Sequence, residues 1–360
     1  MTYIQKILFG SPGTGKSHKV DKYLIPEKLK ITSSDNKIKT VFHPEYTYGD
    51  FIGKLVPHTK DNGKVEYKFF EGHFLIALAK ALKNIHDAYD KDGALIGSIE
   101  NVVLVIDEIN RGNSAAIFGT VFQLLDRDDD GWSSYDVNIT QLEFLKLLEL
   151  IGVKFGYDNK GEIDEYKLKP HDGLKQLENL QKKVPYLNLD LVNRKIKLPP
   201  NFSIIGTMNT SDNSIYFMDS AFKRRWDWEF IDINPPADNY FEIIDKQLKV
   251  IDRVYWKKMV DAINIFIKSH SEKIRRIEDK QIGYYFIKGD IIEHEAIRNK
   301  LMFFLWDSVF SNDKKPLLEL LNTSPLRINN PIHKNELITF GDFVRLYKEF
   351  SSAIAGKITN

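Results

Sequence analysis

Cysteine is absent from this sequence of 360 residues. Its absence excludes disulfide bonds, thiolate nucleophiles and zinc sites built on cysteine, and it is typical of a protein in a reducing compartment. The sequence also lacks any apolar run close to the roughly 20 residues that span a bilayer. The short apolar run at residues 7–9 is too brief for the core of a signal peptide. We therefore expect a cytoplasmic protein with no membrane partner.

An excess of charge of either sign is also missing, because 51 basic residues nearly balance 50 acidic ones and leave a net charge of +1. The chain as a whole gives no electrostatic signal for binding DNA or a membrane, although local basic patches are compatible with this balance. Hydrophobic residues make up 42% of the sequence, which is ordinary for a globular protein. The length predicts two domains, or one domain with a large appendage.

Apolar runs alternate with helical patterns in the first part of the chain. Buried strands are predicted at residues 4–9, 40–42, 101–106 and 202–206, and helices at 16–24, 74–85 and 115–125. The first helix is expected to stop before Pro26, because proline breaks the regular helical hydrogen bonding. Strands that alternate with helices predict an α/β domain with a parallel sheet flanked by helices.

Two departures from this alternation set the expected domain organisation. Residues 128–200 begin with an acidic turn, contain one clear helix at 139–150, and are interpreted as an insertion in the α/β domain. After residue 234 the apolar residues recur at helical spacing. We predict an α/β domain over residues 1–233 and an all-helical lid domain over 234–360, with Pro235 and Pro236 as the hinge.

Residues 10–17 read GSPGTGKS and match the phosphate-binding pattern G-x-x-x-x-G-K-[ST]. Glycines let backbone N–H groups turn inward around phosphate oxygens. The helix that follows directs its positive end at the same anion. Lys16 would bridge the β- and γ-phosphates, and Ser17 would bind Mg²⁺. The predicted nucleotide-binding residues are Gly10, Ser11, Pro12, Gly13, Thr14, Gly15, Lys16 and Ser17.

The strand at 101–106 runs directly into two carboxylates, Asp107 and Glu108. This is the Walker B pattern, in which Asp107 would hold Mg²⁺ beside Ser17 and Glu108 would activate the attacking water. Two acids at a strand end are otherwise often ordinary solvated residues. The phosphate-binding pattern upstream favours the metal site.

Polar and basic residues follow the last buried strand. Asn209 is predicted to contact the γ-phosphate or the water, because open parallel sheets bind ligands at the carboxyl ends of their strands. Asp212 is interpreted as orienting the water or an arginine, with a turn or helix cap as the alternative. Arg224 or Arg225 is predicted to stabilise charge on the transferred phosphoryl group. A surface basic cluster is the alternative for these arginines.

Together these motifs resemble the AAA+ family and, within it, the McrB branch, the GTP-hydrolysing motor of modified-cytosine-dependent restriction systems. The resemblance also rests on VFHPEYTYGDFI at 41–52, DEINRGN at 107–113, MNTSDNS at 208–214, KRRW at 223–226 and KQIGY at 280–284. The family signature usually reads MNTADRS, and this sequence departs from it at Ser211 and Asn213. Those departures bear on how hydrolysis is tuned.

The resemblance implies a sensor role for Asn209, a signature role for Asp212 and a trans-acting finger at Arg224 or Arg225. It implies a hexameric ring, since an arginine that completes a neighbour's site requires a head-to-tail interface that closes on itself. The implied cofactors are Mg²⁺ and GTP, which the resemblance favours over ATP. The implied partner is a McrC-like nuclease, with DNA reached through the complex. Because the sequence begins at the first strand, we expect target recognition on another subunit.

Two other functions fit part of the sequence. A MoxR-like ATP-dependent remodelling ATPase shares a DEINR-like motif, but the stretches at 42–52 and 208–214 argue against it. A nucleotide-binding assembly scaffold without turnover would keep the fold, but the intact Lys16, Glu108 and Asn209 argue against that function. We therefore expect a nucleoside triphosphatase, a ring motor acting with a McrC-like endonuclease subunit in DNA restriction or phage defence.

Overall fold

The computed structural model describes residues 3–90, 92–159, 163–167, 177–209, 216, 218–233, 240–274 and 277–359. The chain divides into two compact units, Met1–Trp226 and Asp227–Asn360. The predicted hinge, Pro235 and Pro236, lies outside the described residues. Within the described ranges, no helix has both the length and the apolar character needed to cross a membrane.

The first unit contains strands and helices that alternate along the chain. Its strands are β1 (Gln5–Gly10), β2 (Lys37–Val41), β3 (Gly53–Thr59), β4 (Val65–Glu71), β5 (Val102–Asp107), β6 (Val137–Asn138), β7 (Lys154–Tyr157), β8 (Ile163–Lys167), β9 (Lys195–Ile196) and β10 (Phe202–Asn209). Its helices are α1 (Lys16–Lys19), α2 (Tyr48–Phe51), α3 (His73–Asp87), α4 (Ser114–Phe118), α5 (Gln141–Ile151), α6 (Leu177–Lys183) and α7 (Ser220–Lys223).

A parallel sheet forms the centre of this unit, with its strands in the order β1, β10, β5, β2. The apolar residues of β5 are at most 2% exposed, because the strand lies between two sheet neighbours and is covered on both faces. Helix α3 packs against β2 and β5. The predicted fold class, a parallel sheet flanked by helices, is confirmed.

The first helical segment differs from its prediction. Helix α1 continues as wide, π-type turns over Val20–Lys28, with Pro26 inside them. In these turns the hydrogen bonds reach one residue further back than in an α-helix, as in the 2.9 Å bond from the Leu29 N–H to the Leu24 carbonyl. This wider spacing relieves the clash between a proline ring and the carbonyl four residues earlier. The expected stop before Pro26 was therefore wrong.

The stretch interpreted as an insertion contains the elements from β6 to β9. Part of this stretch lies outside the described residues. Strand β6 pairs with β9 and β7 pairs with β8, both antiparallel. Helix α5 begins with a capping box, in which Thr140 and Glu143 exchange side-chain and backbone hydrogen bonds. The same helix packs against α3, so this part of the stretch is folded onto the central domain.

The second unit is mainly helical. Its helices are α8 (Tyr240–Gln247), α9 (Arg253–Lys268), α10 (His294–Ala296), α11 (Lys315–Asn322), α12 (Phe340–Arg345) and α13 (Tyr347–Thr359), with π-type turns at Ile297–Met302 and Phe304–Val309. Its strands are β11 (Asp227–Phe230), β12 (Ile251–Asp252) and β13 (Ile291–Ile292). The antiparallel pair of β12 and β13 is a departure from an all-helical lid, and a two-residue ladder is too short to leave an alternating pattern in the sequence.

Candidate nucleotide-binding site

The loop between β1 and α1 has the backbone of a phosphate cradle. Gly13 and Gly15 have φ angles of 79° and 86°, a left-handed conformation that favours glycine. A Cβ atom added at either position would meet no other atom within 4 Å. Backbone conformation, and not lack of space, therefore explains these two glycines. Gly15 is also the residue from which α1 begins.

Lys16 is folded back over this loop. Its ammonium donates hydrogen bonds to the carbonyl oxygens of Gly10 at 3.1 Å and Ser11 at 2.7 Å, and the residue is 8% exposed. Ser17, the next residue of α1, is exposed. The hydroxyl of Thr14 also donates to the Ser11 carbonyl, at 3.0 Å. The loop is thus closed on itself by the side chains of Thr14 and Lys16.

The sheet register brings the predicted site residues to one edge. Gly10 at the end of β1 is aligned with Asn209 at the end of β10. Asp107 at the end of β5 is aligned with Val41 of β2. All four strands run in the same direction, so their carboxyl ends share this edge. The phosphate loop, the acidic strand end and Asn209 therefore adjoin one another.

Two hydrogen bonds connect the acidic residues to β10. The hydroxyl of Thr207 donates to Oδ1 of Asp107 at 2.8 Å. The amide of Asn209 donates to Oε1 of Glu108 at 2.7 Å. Glu108 has a φ angle of 55°, which is uncommon for a residue other than glycine. Such backbone strain concentrates at functional sites, and here it turns the chain immediately after β5.

The turn after Glu108 is fixed by Asn110, which is 1% exposed. Its side-chain amide donates to the carbonyl oxygen of Asn209 at 2.9 Å. The backbone carbonyl oxygen of Asn110 accepts a 2.9 Å hydrogen bond from the backbone N–H of Tyr216. Asn110 therefore contacts both flanks of residues 210–215. Thr207 and Asn110 were not among the predicted site residues, although Thr207 is one of the polar residues directly after the predicted strand at 202–206 and Asn110 lies within the DEINRGN motif.

The remaining predicted residues differ in their placement. Asp212 lies outside the described residues. Arg225 forms an ion pair with Asp126, with Nη2 at 2.7 Å from Oδ2, and its side chain is 8% exposed. Its guanidinium also lies 3.9 Å from the centre of the Phe122 ring. Arg224 is exposed. A finger that acts on another subunit must reach outward, so this geometry favours Arg224 over Arg225.

The oxygen donors at this edge fit Mg²⁺ bound together with a nucleotide. The ion prefers one or two carboxylates, phosphate oxygens and water to a cage built from protein alone. The part of the chain that the structure describes has no cluster of three or more histidine, aspartate or glutamate residues able to hold a metal. Asp107, with Oδ1 fixed by Thr207, and Ser17 supply the hard oxygen atoms that such a site requires.

Comparison with known proteins gives two informative similarities, while no protein-family model matches the chain. The chain is 31% identical over 349 residues to the type II restriction enzyme BsuMI component YdiS of Bacillus subtilis (strain 168), and the match covers 89% of this chain and 82% of that relative. It is 27% identical over 234 residues to the type IV methyl-directed restriction enzyme EcoKMcrB subunit of Escherichia coli (strain K12). That match covers 64% of this chain and 36% of that subunit.

Proposed function

This chain belongs to the McrB-like family of restriction-system proteins, and from that membership we propose that it is an NTP-hydrolysing AAA+ ring motor. It acts with a McrC-like endonuclease subunit in DNA restriction or phage defence. The two relatives are named as a component and a subunit of restriction enzymes, which supports a role inside a restriction complex. We assign the motor activity to this chain. Because the match covers 36% of the methyl-directed subunit, its DNA target stays open.

The pairing of Asn209 with Glu108 is the observation that carries this proposal. Asn209 is aligned with Gly10 of the phosphate loop, and its amide reaches the Glu108 carboxylate at 2.7 Å. A phosphate cradle, an acidic strand end and a polar sensor residue are thus adjacent at one sheet edge. Phosphoryl transfer to water requires these parts together. A scaffold that only binds nucleotide does not need the acidic strand end or the polar sensor residue.

Each residue of the site has a defined role in the proposed reaction. The loop N–H groups and Lys16 bind the β- and γ-phosphates. Ser17 and Asp107 would hold Mg²⁺, which when bound would neutralise charge on the phosphate oxygens. Glu108 orients the attacking water and accepts its proton. Asn209 fixes the carboxylate of Glu108 through its amide and so supports the geometry of attack.

We assign the trans-acting finger to Arg224. A guanidinium inserted into a neighbour's site stabilises the charge of the transferred phosphoryl group, and a head-to-tail interface of this kind closes into a ring. Arg224 is exposed, whereas the side chain of Arg225 is 8% exposed. The proposed assembly is a hexameric ring with nucleotide between the subunits.

Steady-state hydrolysis of GTP and ATP, measured with and without the McrC-like partner, tests the proposal. We expect turnover of GTP to exceed that of ATP and to rise when the partner is added. Glu108→Gln serves as the inactive reference, because it keeps the shape of the side chain but cannot accept a proton. A clear preference for ATP would favour a remodelling ATPase. No turnover of either nucleotide with the partner present would contradict the motor and favour a scaffold.

A further inference from the structure

A single threonine of β10 contacts three consecutive residues of the acidic turn. The hydroxyl of Thr207 donates to Oδ1 of Asp107 at 2.8 Å and accepts from the backbone N–H of Glu108 at 3.4 Å. Its carbonyl oxygen accepts from the N–H of Ile109 at 3.0 Å. Thr207 is 4% exposed, whereas Asp107 and Glu108 are half-buried.

The Thr207 hydroxyl contacts the acidic strand just beyond the end of the regular pairing between β5 and β10. The parallel register between β5 and β10 runs as far as the pair of Gly206 and Ile106. Two residues after Ile106 the backbone of the acidic strand turns, at Glu108 with its φ of 55°. On the side of β10, Asp107 and Glu108 are therefore joined to the sheet through the Thr207 hydroxyl, whereas on the other side Asp107 is paired with Val41 of β2.

The chemistry of a hydroxyl suits this position. It has one proton, which Thr207 donates to a carboxylate, and it keeps lone pairs that can accept from an N–H. A hydrogen bond to a charged oxygen is about twice as strong as one between neutral groups. Occupation of Oδ1 fixes the rotation of the Asp107 carboxylate. The orientation of the predicted metal ligand is thus set by a residue that does not bind the metal.

We propose that Thr207 is a positioning residue of the magnesium–nucleotide site. Its hydroxyl orients Asp107 toward the metal and holds the turn that presents Glu108 to the water. The inference rests on the proposed function for the identity of the reaction. The geometry on which it depends, a hydroxyl that joins two strands at the acidic turn, comes from contacts within the chain itself.

Thr207→Val tests this role, because valine keeps the branched shape and nearly the volume of threonine but has no hydroxyl. We expect the affinity for nucleotide in the absence of Mg²⁺ to change less than twofold. The Mg²⁺ concentration for half-maximal nucleotide binding and turnover should rise about tenfold. The kcat should also fall about tenfold, because the variant loses one charge-assisted hydrogen bond. Thr207→Ser retains the hydroxyl and should restore both values to within about threefold of the natural protein.

Thr40→Val is the matched control. Thr40 is buried on β2, in the same sheet, and its hydroxyl donates to the Tyr46 hydroxyl at 3.1 Å and not to a carboxylate. This variant loses a buried hydroxyl by the same chemical change, and its Mg²⁺ dependence should remain that of the natural protein. If Thr207→Val does not fold, the comparison passes to Thr207→Ser and Thr207→Ala, of which only serine keeps the donor.

Unchanged Mg²⁺ dependence in Thr207→Val, or a loss that serine does not reverse, would overturn the inference. The test is separable from that of the motor. If the natural protein hydrolyses no nucleotide, the proposed function fails, yet Mg²⁺ titrations of binding to a fluorescent GTP analogue still measure the effect of Thr207. If the natural protein hydrolyses GTP and Thr207→Val behaves like Thr40→Val, the inference about Thr207 fails alone.

Discussion

The amide of Asn209 and the carboxylate of Glu108 are joined by a 2.7 Å hydrogen bond across 101 residues of sequence. This bond connects the end of β10 to the turn that follows β5, so it exists only when the two strands lie side by side. A carboxylate that is already oriented needs less ordering when it engages a water molecule. The proposed activation of water is therefore coupled to the assembled sheet.

The first prediction concerns the Glu108 carboxylate. Glu108→Gln should bind GTP with a Kd within about threefold of the natural value, while kcat falls by about 10² or more, because the amide cannot accept a proton. Glu100→Gln, just before the same strand, is a matched control: that carboxylate also accepts from an asparagine, Asn36, at 2.7 Å. Its turnover should be unchanged. Normal turnover in Glu108→Gln would mean that another residue handles the water.

The second prediction concerns the phosphate loop. Lys16→Ala removes the ammonium that lies over the carbonyls of Gly10 and Ser11, and we expect the affinity for GTP to fall by at least about 10². Lys22→Ala, an exposed lysine of the helical segment that follows the loop, should bind GTP normally. Isothermal titration with each variant makes the comparison. An unchanged affinity in Lys16→Ala would remove the assignment of the loop.

The third prediction separates the two arginines by stability. Arg225→Ala breaks the pair with Asp126 and the contact with the Phe122 ring, so the free energy of unfolding should fall by about 2 kcal/mol. Arg224→Ala removes an exposed side chain, and its free energy of unfolding should stay within about 0.5 kcal/mol of the natural value. Urea denaturation of the two variants side by side measures both.

A fourth prediction addresses action between subunits. Arg224→Ala should lower GTP turnover about 10³-fold, and so should Lys16→Ala. If the finger acts in trans, mixing the two inactive variants creates interfaces with an intact loop on one side and an intact arginine on the other. Turnover should then return in part. Mixtures that stay inactive, although size-exclusion chromatography shows mixed rings, would contradict action in trans by Arg224.

The local parts of the site could be predicted from the sequence. The phosphate loop is defined by glycines that adopt left-handed backbone conformations, and β5 by an apolar run that ends in Asp107 and Glu108. Each of these features depends on a few adjacent residues, and for this reason a pattern in the sequence is sufficient to find it. The parallel sheet follows from several such strands in succession.

Two missed features depend on partners that are distant in sequence. Arg224 and Arg225 are adjacent and chemically identical, and the ion pair that Arg225 forms involves Asp126, 99 residues away. Thr207 lies directly after the predicted strand at 202–206, and its bonding partner Asp107 is 100 residues away. The π-type turns around Pro26 are a local feature. They were missed because the usual rule for proline considers only the α-helix.

The last prediction concerns Arg127, which is 6% exposed. Its guanidinium donates hydrogen bonds to carbonyl oxygens near both ends of the predicted insertion and on β10, namely those of Gly131 at 2.9 Å, Leu198 at 3.0 Å, Pro199 at 3.1 Å and Phe202 at 2.6 Å. A lysine ammonium has three donors and no planar fork, so it cannot satisfy the same set. Arg127→Lys should therefore lower the free energy of unfolding by about 3 kcal/mol.

Burial lowers the pKa of Arg127 to about 10, below its value in an unfolded chain. The unfolded state therefore holds the proton more firmly, and the burial cost is relieved only as the pH rises above about 10. Between about pH 6 and 9 the guanidinium is charged in both states, so the contribution of Arg127 itself to the free energy of unfolding should not vary with pH there. Urea denaturation of the natural protein and of Arg127→Lys at several pH values measures the free energy of unfolding, with the exposed Arg194→Lys as control. A difference between the two variants below about 0.5 kcal/mol would show that the carbonyl cluster does not depend on the guanidinium.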